Sequence, residues 1–309
     1  MPIPDFKILR TCLMLVAILF AVARSAAQVP TAAIALSSEQ RTQLHDLVSR
    51  TLSRADQVRC KAGHCDVLVA NFTDQKGNTS ILGMQLAEEV SKDESFVANH
   101  IRTTPRAMLQ SYLETQRIPS KAFKDTDAAR WLGRELFADA VLVGQMEHSS
   151  ANLKLELRLI ESKTSRFYNS RQSGLEQGTL PGMANQADLA ATEPYGQIPE
   201  AILDGQKIPK LAADQNSSSP GMTMPRCEYQ PDPPYTESAR QSKYQGIVIL
   251  QAVISKDGRM LDVRPLAGAP FGLNKISVET VRTWRCRPPT VGDKPISVVV
   301  PIEISFRLF

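Results

Sequence analysis

The chain has 309 residues, 42% of them hydrophobic and 22% charged, with 36 Lys and Arg against 32 Asp and Glu. That length predicts about two domains, and that balance excludes wholesale disorder and carries no polyanion-binding signature. Five Cys, 20 Pro and 16 Gly fit neither a small disulfide scaffold nor a collagen-like chain. No Lys/Arg run is interleaved with aromatics, so nucleic acid is not an expected partner. Four His, none spaced as a metal pair, argue against a zinc enzyme.

Lys7 and Arg10 precede an unbroken apolar run from Cys12 to Ala23, and Ser25-Ala26-Ala27 supplies small residues suited to cleavage before Gln28. A membrane span needs about 20 apolar residues, and Arg24 ends this run short of that. Residues 1–27 therefore read as a signal peptide, and the protein as exported to the periplasm or cell envelope. Retained, the same segment would anchor it in the inner membrane. Export leaves Cys60, Cys65, Cys227 and Cys286, an even number in a compartment that permits disulfides. Of the three connectivities, pairing within each half is the simplest: Cys60 with Cys65, and Cys227 with Cys286. His64 between the first two would make three metal ligands with no visible fourth, and neither a metal nor a cofactor is expected.

Ser37 and Gln40 have capping-box spacing and open a helix running to Asp56, with Leu44, Leu47, Val48 and Leu52 on one face. The run Val67 to Phe72 reads as a buried strand, Asp74 to Asn78 as a loop, and Thr79 to Lys92 as a helix. Phe96-Val97 reads as a short strand. Thr103 and Pro105 open a helix carrying Met108, Leu109 and Leu113, and Asp125 to Phe137 forms the next. Strands are expected at Ala140 to Met146, Leu153 to Ile160 and Arg166 to Gln172, completing an α/β sandwich over residues 37–172. Residues 173–225 lose periodicity and read as a linker able to reach beyond one domain diameter.

From Arg226 a second pattern begins. Thr236 to Ser242 reads as a short helix, Gly246 to Ile254 as a strand, Lys256-Asp257-Gly258 as a type I′ hairpin turn, and Met260 to Leu266 as the returning strand. Leu273 to Trp284 is a helix, and Ile296 to Phe309 a last strand whose even positions are all apolar up to Leu308. The expected class is α+β: a C-terminal three-stranded antiparallel sheet with helices on one face, over residues 226–309, preceded by the α/β sandwich.

Two resemblances follow. Phe72-Thr73-Asp74, Gly77, Ser80, Leu82-Gly83 and Leu86-Ala87 open a pattern continued by Ala129, Leu132-Gly133, Ala138 to Gly144 and Leu157 to Ile160. It resembles the CsgG, FlgO and TolB-N-terminal-like group, which are exported envelope proteins that bind other proteins. Pro234-Tyr235, Ala239-Arg240, Gln245-Gly246, Val248, Val253, Asp257-Gly258, Val263, Leu273, Val278, Val281, Trp284-Arg285, Pro288, Lys294-Pro295 and Phe306-Arg307-Leu308 resemble the TonB C-terminal domain. Asn274 stands where Asp is usual, Ser277 and Thr280 replace Ala, and Cys286 replaces an aromatic. In that likeness Tyr235, Gly246, Asp257, Gly258, Trp284 and Pro288 are structural positions.

The TonB resemblance implies binding in energy-coupled transport: a short segment of an outer-membrane TonB-dependent transporter pairs along a sheet edge. The last strand is the expected edge, since Pro301 is tolerated only there. Ile296, Val298 and Val300 would face the helix, and Ser297, Val299, Pro301 and Glu303 would meet the partner. No acid–base pair or nucleophile is visible, so no enzyme is expected. An inner-membrane motor complex would be a partner only if residues 1–27 are retained. The alternative is an envelope assembly or scaffold protein that uses the TonB-like domain for protein–protein contact or homodimerisation, without energy transduction.

Overall fold

The structure is a computed structural model and describes residues 34–53, 58, 64–149, 151–162, 176–183, 200–203, 206–211 and 222–308. The expected signal segment, Cys60 and the strand expected at 166–172 lie outside the described residues. Helix α1 (Ser38–Leu52) begins as its pattern requires: the Gln40 N–H donates to Ser37 Oγ, and the Ser37 N–H donates to Gln40 Oε1. Its apolar stripe lies over a sheet in which β1 (Cys65–Val69) runs parallel to β3 (Ile101–Thr103) and β4 (Ala140–His148). The short β2 (Thr73–Asp74) also pairs with β4, while β5 (Asn152–Glu161) and β6 (Glu176–Pro181) extend the sheet antiparallel in the order β3-β1-β4-β5-β6. The strict alternation of β5 sends Leu153, Leu155, Leu157 and Leu159 into one core with Leu44, Leu47 and Val48.

Between these strands lie α2 (Ile81–Ser91), α3 (Ser95–Ala98), α4 (Arg106–Gln116) and α5 (Thr126–Glu135). Residues 95–98 are thus helical where a strand at Phe96-Val97 was expected. Asp93 explains the difference: its Oδ1 accepts the Ser95 N–H and its carbonyl accepts the Phe96 N–H, which starts a turn. A second correction is β6, which falls inside the stretch expected to be linker. It buries a single large side chain, Leu180, so it carries no alternation to read, yet Gln40 Nε2 donates to its Pro181 carbonyl at 2.7 Å.

The C-terminal part has the expected architecture. Strands β10 (Gly246–Ile254), β11 (Met260–Ala267) and β15 (Val298–Phe306) form an antiparallel sheet in the order β11-β10-β15, with α7 (Leu273–Thr283) on one face. Ahead of it come β9 (Arg226–Tyr229) and α6 (Glu237–Gln241). After α7, β12 (Arg285–Arg287) pairs with β9, and β13 (Thr290–Val291) with β14 (Lys294–Pro295). The hairpin turn is not type I′, which would need positive φ at both Asp257 and Gly258. Only Gly258 has it, at 76°. The Gly258 N–H donates to the Ser255 carbonyl at 2.8 Å, and the Ser255 N–H to that of Arg259 at 2.9 Å, giving a three-residue loop closed by a left-handed glycine.

The two halves share a core. Trp131 of α5 lies 5.9 Å from Phe271, centroid to centroid, Phe271 lies 5.3 Å from Tyr244, and Tyr112 of α4 flanks Trp131 at 6.3 Å. Burial, and then the Asp125 charge from the other half, push the Tyr244 phenol above its ordinary pKa. The end of α4 is capped by the C-terminal part: Asn274 Nδ2 donates to the Gln116 carbonyl at 2.6 Å, and the Gly268 N–H to the Arg117 carbonyl at 2.8 Å. A Cβ on Gly268 would lie 2.3 Å from the Gln116 oxygen, so this approach requires glycine. The reach expected of a 173–225 tether is therefore not what relates the halves, which are in direct contact.

Asn274→Asp should test that contact. It keeps the acceptor for the Ala269 N–H but replaces the donor to Gln116 with a carboxylate oxygen. A loss of about 1–3 kcal/mol in urea unfolding is expected. In the parent, single-tryptophan variants reporting Trp131 and Trp284 separately should show one coincident transition.

Candidate functional site

The last strand of the sheet is the site the pattern singled out. β15 pairs only with β10 in its sheet, register Gly246 with Phe306 through Ile254 with Val298, so it is an edge. Val298, Val300, Ile302, Ile304 and Phe306 enter the core with Leu273, Val281 and Trp284. The odd positions lie on the opposite face, where they alternate with the inward set.

Backbone geometry fixes which groups are available. The Val299 N–H donates to the Pro209 carbonyl at 2.9 Å and the Val299 carbonyl accepts the Leu211 N–H at 2.8 Å. Val299 therefore turns its backbone groups away from β10, and in an antiparallel ladder Pro301, Glu303 and Ser305 do the same. Pro301 has no N–H. Among the described residues the outward donors of Glu303 and Ser305 meet no partner, and both side chains are exposed.

Of the four residues expected to meet a partner, Pro301 and Glu303 lie exposed on the uncovered stretch. Val299 does not: its side chain is 1% exposed, packed with Ala201, Ile208 and Val253, and its backbone is engaged by residues 209 and 211. The expectation failed there because the outer face carries a second small apolar layer supplied by the chain itself. Ser297 precedes the strand, and its Oγ accepts the Lys256 N–H at 3.2 Å, which commits it to the β10–β11 turn. Ser305 was missed, although the period of two that selected Glu303 includes it.

The family-pattern positions are packing and turn positions. Tyr235 stands edge-on to Phe306 at 5.3 Å and its hydroxyl donates to the Tyr244 carbonyl. Trp284 Nε1 donates to the Pro231 carbonyl at 3.0 Å. Gly246 faces the Tyr244 ring, Asp257 sits in the hairpin loop, and Pro288 is half-buried beyond β12. At Gly258 a Cβ would lie 2.0 Å from the Cys286 carbonyl oxygen, and the Gly258 carbonyl accepts the Cys286 N–H. Cys286 is disulfide-bonded to Cys227, joining β12 to β9 across 59 residues of sequence. Cys65 is also disulfide-bonded, while its expected partner Cys60 lies outside the described residues.

Elsewhere, His45, Asp93 and Ser95 meet, but the Asp93 carboxylate at 3.0 Å and the Ser95 hydroxyl at 3.3 Å both address His45 Nδ1. A nucleophile and its orienting carboxylate would sit on opposite ring nitrogens. Among the described residues no group of three or more His, Cys, Asp and Glu could hold a metal ion, and no helix is long and apolar enough to cross a membrane.

Residues 231–308 match the family described as Gram-negative bacterial TonB protein C-terminal. The C-terminal part is thus a TonB-C-terminal-like domain. No curated protein matches the chain. Among solved structures, the LpoB C-terminal domain from Salmonella enterica is 13% identical, covering 46% of this chain and 98% of that one with a TM-score of 0.33. The TonB CTD of Pseudomonas aeruginosa is 20% identical over 30% of this chain and 91% of that one, TM-score 0.25. Lipoprotein GNA1162 from Neisseria meningitidis is 16% identical over 38% and 80%, TM-score 0.29.

Removing the staple behind the sheet should be measurable. Cys227→Ser with Cys286→Ser, or reduction of the parent, is expected to lower the unfolding free energy by about 2–4 kcal/mol, read from urea midpoints with and without reductant.

Proposed function

We propose that this chain is a cell-envelope assembly or scaffold protein of a Gram-negative-type bacterium, which binds other proteins through its TonB-like domain without transducing energy. The observation that carries the reading is the shared core of Trp131, Phe271 and Tyr244, with Asn274 and Gly268 capping α4. It supports a single body that presents two surfaces at a fixed mutual orientation, and not a binding domain pulled at the end of a long arm. Binding, and no catalysis, is assigned to the uncovered edge at Pro301, Glu303 and Ser305, where backbone pairing supplies affinity and neighbouring side chains select the partner. The partner is another envelope protein or a second copy of the chain, on the periplasmic side.

The match of residues 231–308 to the TonB C-terminal family favours a second reading, in which the same edge takes a transporter segment in energy-coupled transport. Calorimetric titration of the exported full chain with N-terminal segments of the host's outer-membrane transporters separates the two. Under the scaffold reading no segment binds saturably, while a photo-cross-linker replacing Glu303 in cells captures a non-transporter envelope protein or a second copy. That adduct should fall at least about tenfold when Ser305→Pro is added, which removes an outward donor and spares the inward ladder. Saturable binding of several transporter segments, abolished by Glu303→Pro in a folded protein, would return the energy-coupling reading. Sequencing the mature N-terminus bears on the same choice: a start at Gln28 leaves no motor-contacting segment.

A further inference from the structure

The covered part of the β15 edge has its own logic. Residues Gln206–Leu211 come from the stretch whose sequence reads as linker, yet β7 (Ile202–Leu203) and β8 (Gln206–Lys207) pair antiparallel, and the chain then runs onto the sheet. Ile208 is buried with Ala201 against Val253 of β10 and Val299 of β15. Lys210 pairs with Val299 in parallel register, and Val299 exchanges both of its outward hydrogen bonds with Pro209 and Leu211. This is strand addition in cis, made with the same backbone groups an incoming strand would use.

We infer that residues 206–211 are a displaceable plug: the chain occupies part of its own docking edge, and this segment leaves when a partner strand takes the full length of β15. The inference rests on reading β15 as the docking edge. Three features make the plug displaceable. It is short, since Pro209 interrupts its donors and only Leu211 gives an N–H to Val299. The small apolar cluster beneath it holds Ala201, Ile208, Val253 and Val299, with Leu203 and Leu261 at its margin, and the half-buried Leu211 rests only on the margin of the larger core. On the same face, one position along the edge, Gln251 stands opposite Pro301 and is fully buried, with neither amide atom hydrogen-bonded among the described residues. A covered face that strands an amide holds its cover less tightly than one with every polar group matched. Release opens the β7–β8 pairing and the Ile208 N–H to Ala201 carbonyl hydrogen bond, while β15 keeps its ladder to β10.

The test uses the chain's own segment as the probe, a labelled peptide Gln-Lys-Ile-Pro-Lys-Leu with the sequence of residues 206–211. Ile208→Asp with Leu211→Pro, in the exported full chain, removes the buried contact and the N–H donated to Val299. In the parent the Val299 amide should be protected and the peptide should not bind. In the variant, hydrogen exchange at Val299 should rise at least about tenfold while the Val300 and Ile302 amides keep their protection, and the peptide should bind in trans. Equal peptide binding to parent and variant, an unprotected Val299 in the parent, or loss of protection at Val300 and Ile302 in the variant would each overturn the plug. The docking reading fails separately. If the peptide results hold but no envelope protein or transporter segment binds even the variant, the plug stands and β15 is not a docking edge. If a partner binds parent and variant equally, the edge docks and the plug does not gate it.

Discussion

The position of the C-terminal sheet depends on how one helix ends. An α-helix leaves its last carbonyls without intrahelical donors, and α4 ends at Gln116 with Arg117 in the left-handed region. Its last carbonyls find donors across the chain, in the Asn274 amide and the Gly268 N–H. Because a buried carbonyl left unmatched costs about 1–3 kcal/mol, the C-terminal part is held at this spot by polar satisfaction as much as by the apolar contact of Trp131 with Phe271. The amide also fixes the loop ahead of α7 through the Ala269 N–H. An Asp at position 274 could serve the loop but not the helix. The departure of Asn274 from the family pattern thus has a local physical meaning: it is the residue through which a TonB-like sheet is joined to a second body.

Much of the fold was legible because its elements are amphipathic on the scale of a single element. The capping box of Ser37 and Gln40, the leucine alternation of β5 and the even-numbered apolar set of β15 each have one wet and one buried face, which is what periodicity reports. The misreadings share a cause. Residues 95–98 are set by the Asp93 side chain, β6 by pairing with β5 and contact with α1, and the hairpin loop by a single left-handed glycine; none of these leaves a periodic trace. The contact between the halves was illegible for the same reason. Phe271 and Tyr244 lie outside the periodic segments, and only tertiary structure shows Trp131 as their neighbour.

At the candidate site the sequence separated the inward from the outward face but could not say what lay on the outward one. Val253 and Val299 are apolar on a face expected to be wet, which is the one trace that a second layer covers it. Reading Val299 as available required that layer to be absent. The apolar residues supplying and flanking it, Ala201, Leu203 and Ile208, are scattered among Pro, Gln and Lys, below what a pattern of period two or 3.6 can register.

Pro301 divides the edge into two unequal parts, and this bears on what can bind there. On one side Val299 offers an N–H and a carbonyl, both engaged by residues 209–211; on the other, Glu303 and Ser305 offer two outward donors and their carbonyls. Hydrogen bonds of this kind contribute about 0.5–1.5 kcal/mol each after exchange with water, so the uncovered stretch alone yields only weak pairing. A partner confined to it must draw further affinity from side chains, and Ile247, opposite Ser305 and 47% exposed, and the half-buried Ile249, opposite Glu303, are apolar groups on that face. A partner that extends past Pro301 meets Val299 and must exchange its own backbone for that of residues 209–211, a near-neutral swap of like hydrogen bonds. Selectivity then arises from what lies beyond the backbone: the side chains offered to Val253, Val299 and Ile247, and whether they bury more apolar surface than Ile208 and Ala201 already do. An edge built this way rejects strands that bring only hydrogen bonds, which limits non-specific edge-to-edge association and leaves the site open to a partner with the right apolar side chains.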